Sequence, residues 1–260
     1  TNAVLHLLAY AYELGIRLTL EDFEKYADEI KCINAVIPSG PYTVVDFHYA
    51  GGVLNVMKML EGKLYTEAPS MYGCSWSEIL SKVKAQENQV IHSLENPLFN
   101  EPGLKILRGN LSPNGAIVRP TAVYDEVKYM KGKAKVYDGD RAAFEALQSG
   151  KIVPGDILVI RYEGCKGAPG MKELMLSIDA LIGLGLHKSV GLISDARFSG
   201  FNYGAIIGHV SPEAYDGGNI ALVEDGDEIV IDIPNGEVSL LVSEEELALR
   251  RENWVCRPLK

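Results

Sequence analysis

The stretch GLISDARFSGFNYG, residues 191 to 204, puts Asp195, Arg197 and Ser199 within five positions at the exit of an apolar run. Ligands of α/β proteins gather beyond the carboxyl ends of strands, so three polar groups at such an exit form a candidate site. Arg197 has the fork geometry to grip a carboxylate. Ser199, followed by Gly200, presents a hydroxyl that can act as a nucleophile or, if a metal or cation draws off its proton, as a base. An Asp-Arg surface pair followed by a Ser in a turn fits the same letters equally well. The stretch is not a G-x-S-x-G nucleophile elbow.

A second stretch, ILVIRYEGCKGAPGMKEL (157–174), reads as a strand, a loop loosened by Gly164, Gly167 and Gly170, and a helix opening on Pro169. Such a junction can offer backbone N–H groups to an anion. It lacks the Gly-Lys-Ser/Thr ending of a P-loop. Glu173 falls in the first turn of the expected helix, as a hard oxygen ligand for Mg²⁺ or as an acid favoured by the helix dipole. A third stretch, GHVSPEAYDGG (208–218), carries His209, Glu213 and Asp216. A lone His between Gly and Val reads first as a hydrogen-bonded structural residue, as do His48 and His187.

The four cysteines, Cys32, Cys74, Cys165 and Cys256, show no C-x-x-C pairing. The chain by itself thus offers no thiol ligand set, and unpaired thiols in a reducing compartment are expected. Thirty-five acidic against 25 basic residues give a formal charge of -10, a field that repels nucleic-acid backbones. The 13 tyrosines are not interleaved with basic residues as a base-stacking platform would be. No apolar run suffices to span a bilayer and no signal-peptide pattern opens the chain, so a cytoplasmic protein without membrane or nucleic-acid partners is expected.

Positioning these residues requires a framework, and 260 residues at 47% hydrophobic composition can bury one. Residues 1 to 90 read as helical: TNAVLHLLAYAYELG with Asn2 as cap and Gly15 as stop, a helix capped by Thr19 with Asp22, then GGVLNVMKMLEG and SWSEILSKV. The polar, Pro-containing segment 86–103 reads as a boundary. From Leu104 strands dominate: a hairpin around Ser-Pro-Asn-Gly, and three runs in IALVEDGDEIVIDIPNGEVSLLV around Asp-Gly and Asn-Gly. Helices over DRAAFEALQSG, from Pro169, and from Ser243 complete a compact α/β domain over 91 to 260. The opening without Met, directly on an apolar helix, suggests a piece of something longer.

Four strings in order resemble the dihydroxy-acid and sugar-acid dehydratase family, which includes the 6-phosphogluconate dehydratases. TNAVLHLLA is similar to the end of its Gly-Gly-Ser-Thr-Asn helix start and LRGNLSPNGAIV to its second-domain hairpin. VIRYEGCKGAPGMKEL resembles its Pro-Gly-Met loop, and SDARFSG with GHVSPEA its C-terminal site. Phe201-Asn202-Tyr203-Gly204 is closer to the sugar-acid members than to the amino-acid-pathway members, and Cys165 and Ala168 replace a more usual Pro and Gly.

The resemblance implies a hydro-lyase of about twice this length, of which this chain is the C-terminal half. Such an enzyme eliminates water from a 2,3-dihydroxy acid, branched-chain or sugar acid, to give a 2-keto acid, using Mg²⁺ and an iron–sulfur cluster. The cluster ligands would lie in the missing N-terminal half. Carried over by motif, Glu173 is the Mg²⁺ ligand of this half, Ser199 the base that takes the C2 proton, and Arg197 a positioning group. Residues 1–90 would be the closing helices of an N-terminal α/β domain, and 91–260 a swivelling β/β/α barrel-like domain. A homo-oligomer is expected. The rival reading is a non-catalytic small-molecule-binding or assembly module.

Overall fold

Gly15, with φ of +64°, ends the first helix where the sequence marks its stop. The computed structural model describes residues 1–258. Helix α1 spans Asn2–Glu13. Its cap is Thr1 rather than Asn2, whose side chain is free for other contacts. Helix α2, Leu20–Glu29, follows Thr19, whose N–H and hydroxyl both donate to the Asp22 carboxylate. The chain forms two compact units, Ala27–Gly103 and a larger one made of Thr1–Tyr26 with the chain from Leu104 onward.

In the smaller unit lie α3 (Val44–Tyr49), α4 (Gly52–Met59) and α5 (Trp76–Leu80). The pattern of apolar residues did not announce α3, but its Thr43/Asp46 capping box secures it. Buried Asn55 stitches this unit by donating to the carbonyls of Ala50 and Gln86 and accepting from the Gln86 N–H.

The larger unit is built on eight strands: β1 Lys105–Leu107, β2 Gly115–Val118, β3 Tyr129–Asp138, β4 Ile157–Arg161, β5 Gly191–Ser194, β6 Ile206–Ser211, β7 Glu228–Asp232 and β8 Glu237–Leu240. Their order is β1-β2-β6-β5-β4-β3-β7-β8. Arg108, just past β1, forms a parallel bridge with Glu237 of β8, so the sheet nearly closes into a barrel. The β1–β2 and β7–β8 hairpins are antiparallel as the turn signals indicate, whereas β3, β4, β5 and β6 run parallel. Parallel neighbours need crossovers. Helix α6 (Asp140–Gln148) joins β3 to β4, α7 (Leu176–Gly183) joins β4 to β5, and α8 (Glu244–Asn253) follows β8.

Side-chain alternation divides the core. Ile157, Val159 and Ile193 face the barrel interior with Ile207, Ile229 and Ile231, while Leu158, Ile160 and Leu192 pack against Leu147, Ile178 and Leu181 of α6 and α7. Val4, Leu8 and Leu20 pack on Ile106 and Ile117 of the β1–β2 hairpin.

Two expectations are corrected. The run from Ile220 enters a short 3₁₀ segment, Asn219–Leu222, rather than a strand, because Arg161 captures the carbonyls of Ala221 and Val223 and Arg250 that of Leu222. The helix expected from Pro169 begins only at Leu176. Gly170 and Met171 both adopt left-handed φ, and the free N–H groups of Met175, Leu176 and Ser177 go to the Asp140 carboxylate.

Candidate active site

Adjacent parallel strands β4 and β5 both release their chains at their carboxyl ends, and the two released segments make the candidate site. The first runs from Tyr162 to Met175. The second, residues 195–205, must cross from the end of β5 to the start of parallel β6, and it does so without a helix. That crossing is why an apolar strand ends in polar residues and glycines. Buried Phe198 anchors it against Gly208, where a Cβ would lie 2.4 Å from the ring.

The two segments are joined by backbone. Glu173 and Arg197 form a parallel bridge, with the Leu174 N–H donating to the Arg197 carbonyl at 2.9 Å. Glu173 therefore stands in an extended segment, and its expected place in a first helical turn is corrected. Its Oε1 accepts from the Asn2 Nδ2 at the start of α1. The Arg197 Nε donates to the Met171 carbonyl at 2.5 Å, and its Nη1 lies 3.2 Å from His6 Nε2. Its guanidinium thus braces the Gly-rich segment rather than forking onto a carboxylate. Ser199, half-buried, accepts the Phe201 N–H on its Oγ at 3.1 Å, while its carbonyl accepts from Asn202 Nδ2 at 2.9 Å. Arg119, just beyond β2, donates to the carbonyl of Gly200 at 2.6 Å.

Two carboxylates of the chain itself occupy the backbone N–H groups of the Gly-rich segment. Glu213 accepts the N–H groups of Lys166 and Gly167, both at 2.9 Å, and a Cβ at Gly164 would meet its carboxylate at 2.6 Å. Asp195 accepts those of Tyr162, Glu163 and Ala214 at 2.9 to 3.1 Å. Burial raises the Asp195 pKa to about 6 despite these donors. Buried Glu163 accepts the Asp140 N–H, with the Lys172 ammonium 3.3 Å away.

A cavity of about 550 Å³ lies against the same segments. Asp195, His209, Glu213, Cys165 and Met171 line it, opposite Val4, Leu5 and Leu8 of α1; Ser199, Arg197 and Glu173 are outside the lining. His209, which its neighbours in sequence mark as structural, has no hydrogen-bond partner at its buried Nε2. Burial, aided first by the Thr1 ammonium and then by Arg197, lowers its pKa to about 4. Its letters alone carry no signal of this, since a one-residue shift in the pairing of β6 with β2 produces it.

The oxygen donors beside Glu173 suit a hard cation. Asn2 Oδ1 is buried without a hydrogen-bond partner, on the same amide that donates to Glu173. They amount to part of a coordination shell, since among the described residues no three His, Cys, Asp or Glu side chains converge on one point. The four cysteines do not fit an iron–sulfur cluster for the same reason.

A nearly closed mixed barrel with a two-segment candidate site at the carboxyl ends of its parallel strands defines an α/β domain. Models of the dihydroxy-acid/6-phosphogluconate dehydratase family match it in two parts, the N-terminal model over residues 1–79 and the C-terminal model over 89–259. The chain belongs to that family. It is 48% identical to a dihydroxy-acid dehydratase of Clostridium novyi over its whole length, covering 47% of that relative. It is 46% identical to one of Geobacter sulfurreducens, over 98% of this chain and 46% of the relative. To one of Pyrobaculum neutrophilum it is 44% identical, over 100% and 47%. The chain spans about half the length of the curated relatives it matches.

Proposed function

We propose that the protein to which this chain belongs is a hydro-lyase that removes water from a 2,3-dihydroxy acid to give a 2-keto acid, and that this chain carries its base. The observation that supports this most is the pairing of Glu173 with Arg197, two residues before Ser199, at the ends of adjacent parallel strands. In this reading Ser199 Oγ takes the C2 proton, the C2–C3 double bond forms as the C3–O bond breaks, the departing hydroxide takes up a proton to leave as water, and the resulting enol tautomerises to the 2-keto acid. The Phe201 N–H on Ser199 Oγ favours negative charge there, and Arg119 and Asn202 hold the surrounding backbone in one geometry. Arg197 positions the segment through Met171. Glu173, with Asn2 Oδ1 beside it, would supply part of the shell of a Mg²⁺. A bound Mg²⁺ lowers the proton affinity of the oxygens that it touches.

Residues 1–90 then belong to the N-terminal domain and 91–260 to a swivelling domain, an assignment supported by the break between the two family models. The substrate class is a small dihydroxy acid, after the names of the relatives, and the iron–sulfur ligands fall to the other half of the protein. We assign the protein to the cytoplasm, which suits four cysteines outside any disulfide.

Ser199→Ala in the full-length protein tests the role of the base. It leaves the fold intact, since one hydroxyl is lost, and lowers kcat by about 10²- to 10⁴-fold with little change in KM. Exchange of the substrate C2 proton with deuterated solvent falls in step. Near-normal exchange and turnover would return the stretch to a charged turn. Glu173→Gln instead raises the Mg²⁺ concentration needed for half-maximal rate, with partial rescue at high metal.

A further inference from the structure

Strand β6 carries an extra residue. Gly115 pairs with Ser211 but Ile117 with Gly208, so two steps along β2 face three along β6. The bulge contains His209, whose φ is +57°. Bulges re-aim side chains and gather beside functional sites, and a left-handed φ at a non-glycine residue is itself unfavourable. The three non-glycine residues of this kind among those described are Tyr162, Met171 and His209, all in the segments around the cavity. At His209 a second cost is added, because a buried ring nitrogen without a partner forfeits its hydrogen bond to water. Nothing among the described residues offsets the two costs at this one residue, which is the mark of a group held ready for a ligand.

We propose that His209 is a substrate-binding residue whose Nε2 exchanges a hydrogen bond with one hydroxyl of the dihydroxy acid, through the cavity it lines. This rests on the dehydratase reading above. The ligand class follows from the chemistry of the wall. A neutral imidazole presents Nε2 as either donor or acceptor, and an alcohol matches both, whereas a carboxylate matches only the donor form. Asp195 and Glu213 line the same cavity and disfavour a carboxylate there. The acid end of the substrate is thereby directed away from this wall and a hydroxyl end toward it. Val4, Leu5 and Leu8 add an apolar part to the same lining.

The test is calorimetric binding of a 2,3-dihydroxy acid, and of the two analogues lacking either the C2 or the C3 hydroxyl, to full-length protein. His209→Gly removes the imidazole at a φ glycine adopts freely, and His209→Asn restores a donor and acceptor at a φ Asn tolerates. The expected result is about 10- to 100-fold weaker binding of the dihydroxy acid by His209→Gly, with partial recovery in His209→Asn. The loss vanishes for one of the two analogues, the one missing the hydroxyl that His209 holds. Equal affinity of wild type and His209→Gly for the dihydroxy acid overturns the proposal, as does an equal loss for all three compounds. A wild type that binds the dihydroxy acid without turning it over overturns the dehydratase reading and leaves the His209 comparison readable. A wild type that binds none of them overturns both.

Discussion

Asp195 and His209 face one cavity with pKa values displaced in opposite directions, and the signs make a prediction. Asp195 titrates at about 6 in the folded chain against 3.8 unfolded, so the folded state holds a proton that the unfolded state has lost between those values. Its contribution is favourable in acid and is lost as pH rises through about 6. His209 titrates at about 4 against 6.5, so the unfolded state binds the extra proton, and stability falls as pH drops from 6.5 to 4. Each displacement is worth about 3 kcal/mol and the two oppose each other across pH 4 to 6. Asp195→Asn removes one of them. The melting temperature of this variant then falls more steeply with acid than that of the wild type; parallel slopes would show that burial does not control Asp195.

At the scale of elements, the segment bearing Glu173 depends on a contact between two helices. The Asp140 carboxylate, at the start of α6, receives the N–H groups of Met175, Leu176 and Ser177 and the Ser177 hydroxyl, and so caps α7 from outside. A helix whose own sequence supplies no cap borrows one. Asp140→Ala leaves these donors without their acceptor, those of Ser177 buried, at a cost of about 2 to 3 kcal/mol. The shift in urea midpoint measures it. The same variant loosens residues 171–175, seen as faster amide exchange there than in α8, which has its own Ser243 cap.

The whole chain behaves as one part of a larger protein would. Leu7, Tyr10, Tyr12, Leu14 and Ile16 in and after α1 are exposed, and in the smaller unit Val44, Val45, Tyr49 and Val53 are exposed as well. Apolar surface of this kind is usually covered. The isolated chain is expected to self-associate, shown by a sedimentation coefficient that rises with concentration; a monomer at high concentration contradicts it. Under the proposed function the isolated chain also shows no turnover of any 2,3-dihydroxy acid, because a single carboxylate and an amide oxygen do not complete a metal shell. Measurable turnover by the purified chain without added partner would sink that part of the proposal.

The sequence by itself determined what depends on near neighbours. Helix stops at Gly15, caps at Thr19 and Ser243, and hairpins at Ser-Pro-Asn-Gly and Asn-Gly are local chemistry, and they appear where the letters put them. Asp195, Arg197 and Ser199 were legible as a cluster because they are close in the chain. Only the tertiary structure decided what depends on distant residues. The run at Ile220 lost its strand to the guanidinium of Arg161, 59 residues away, and the helix at Pro169 was shortened to suit a cap from Asp140. Glu173 met Arg197 through strand order, and His209 was set apart by a bulge opposite β2. A carboxylate's partners and a strand's register are settled by which distant segment arrives beside them, and no local propensity encodes that arrival.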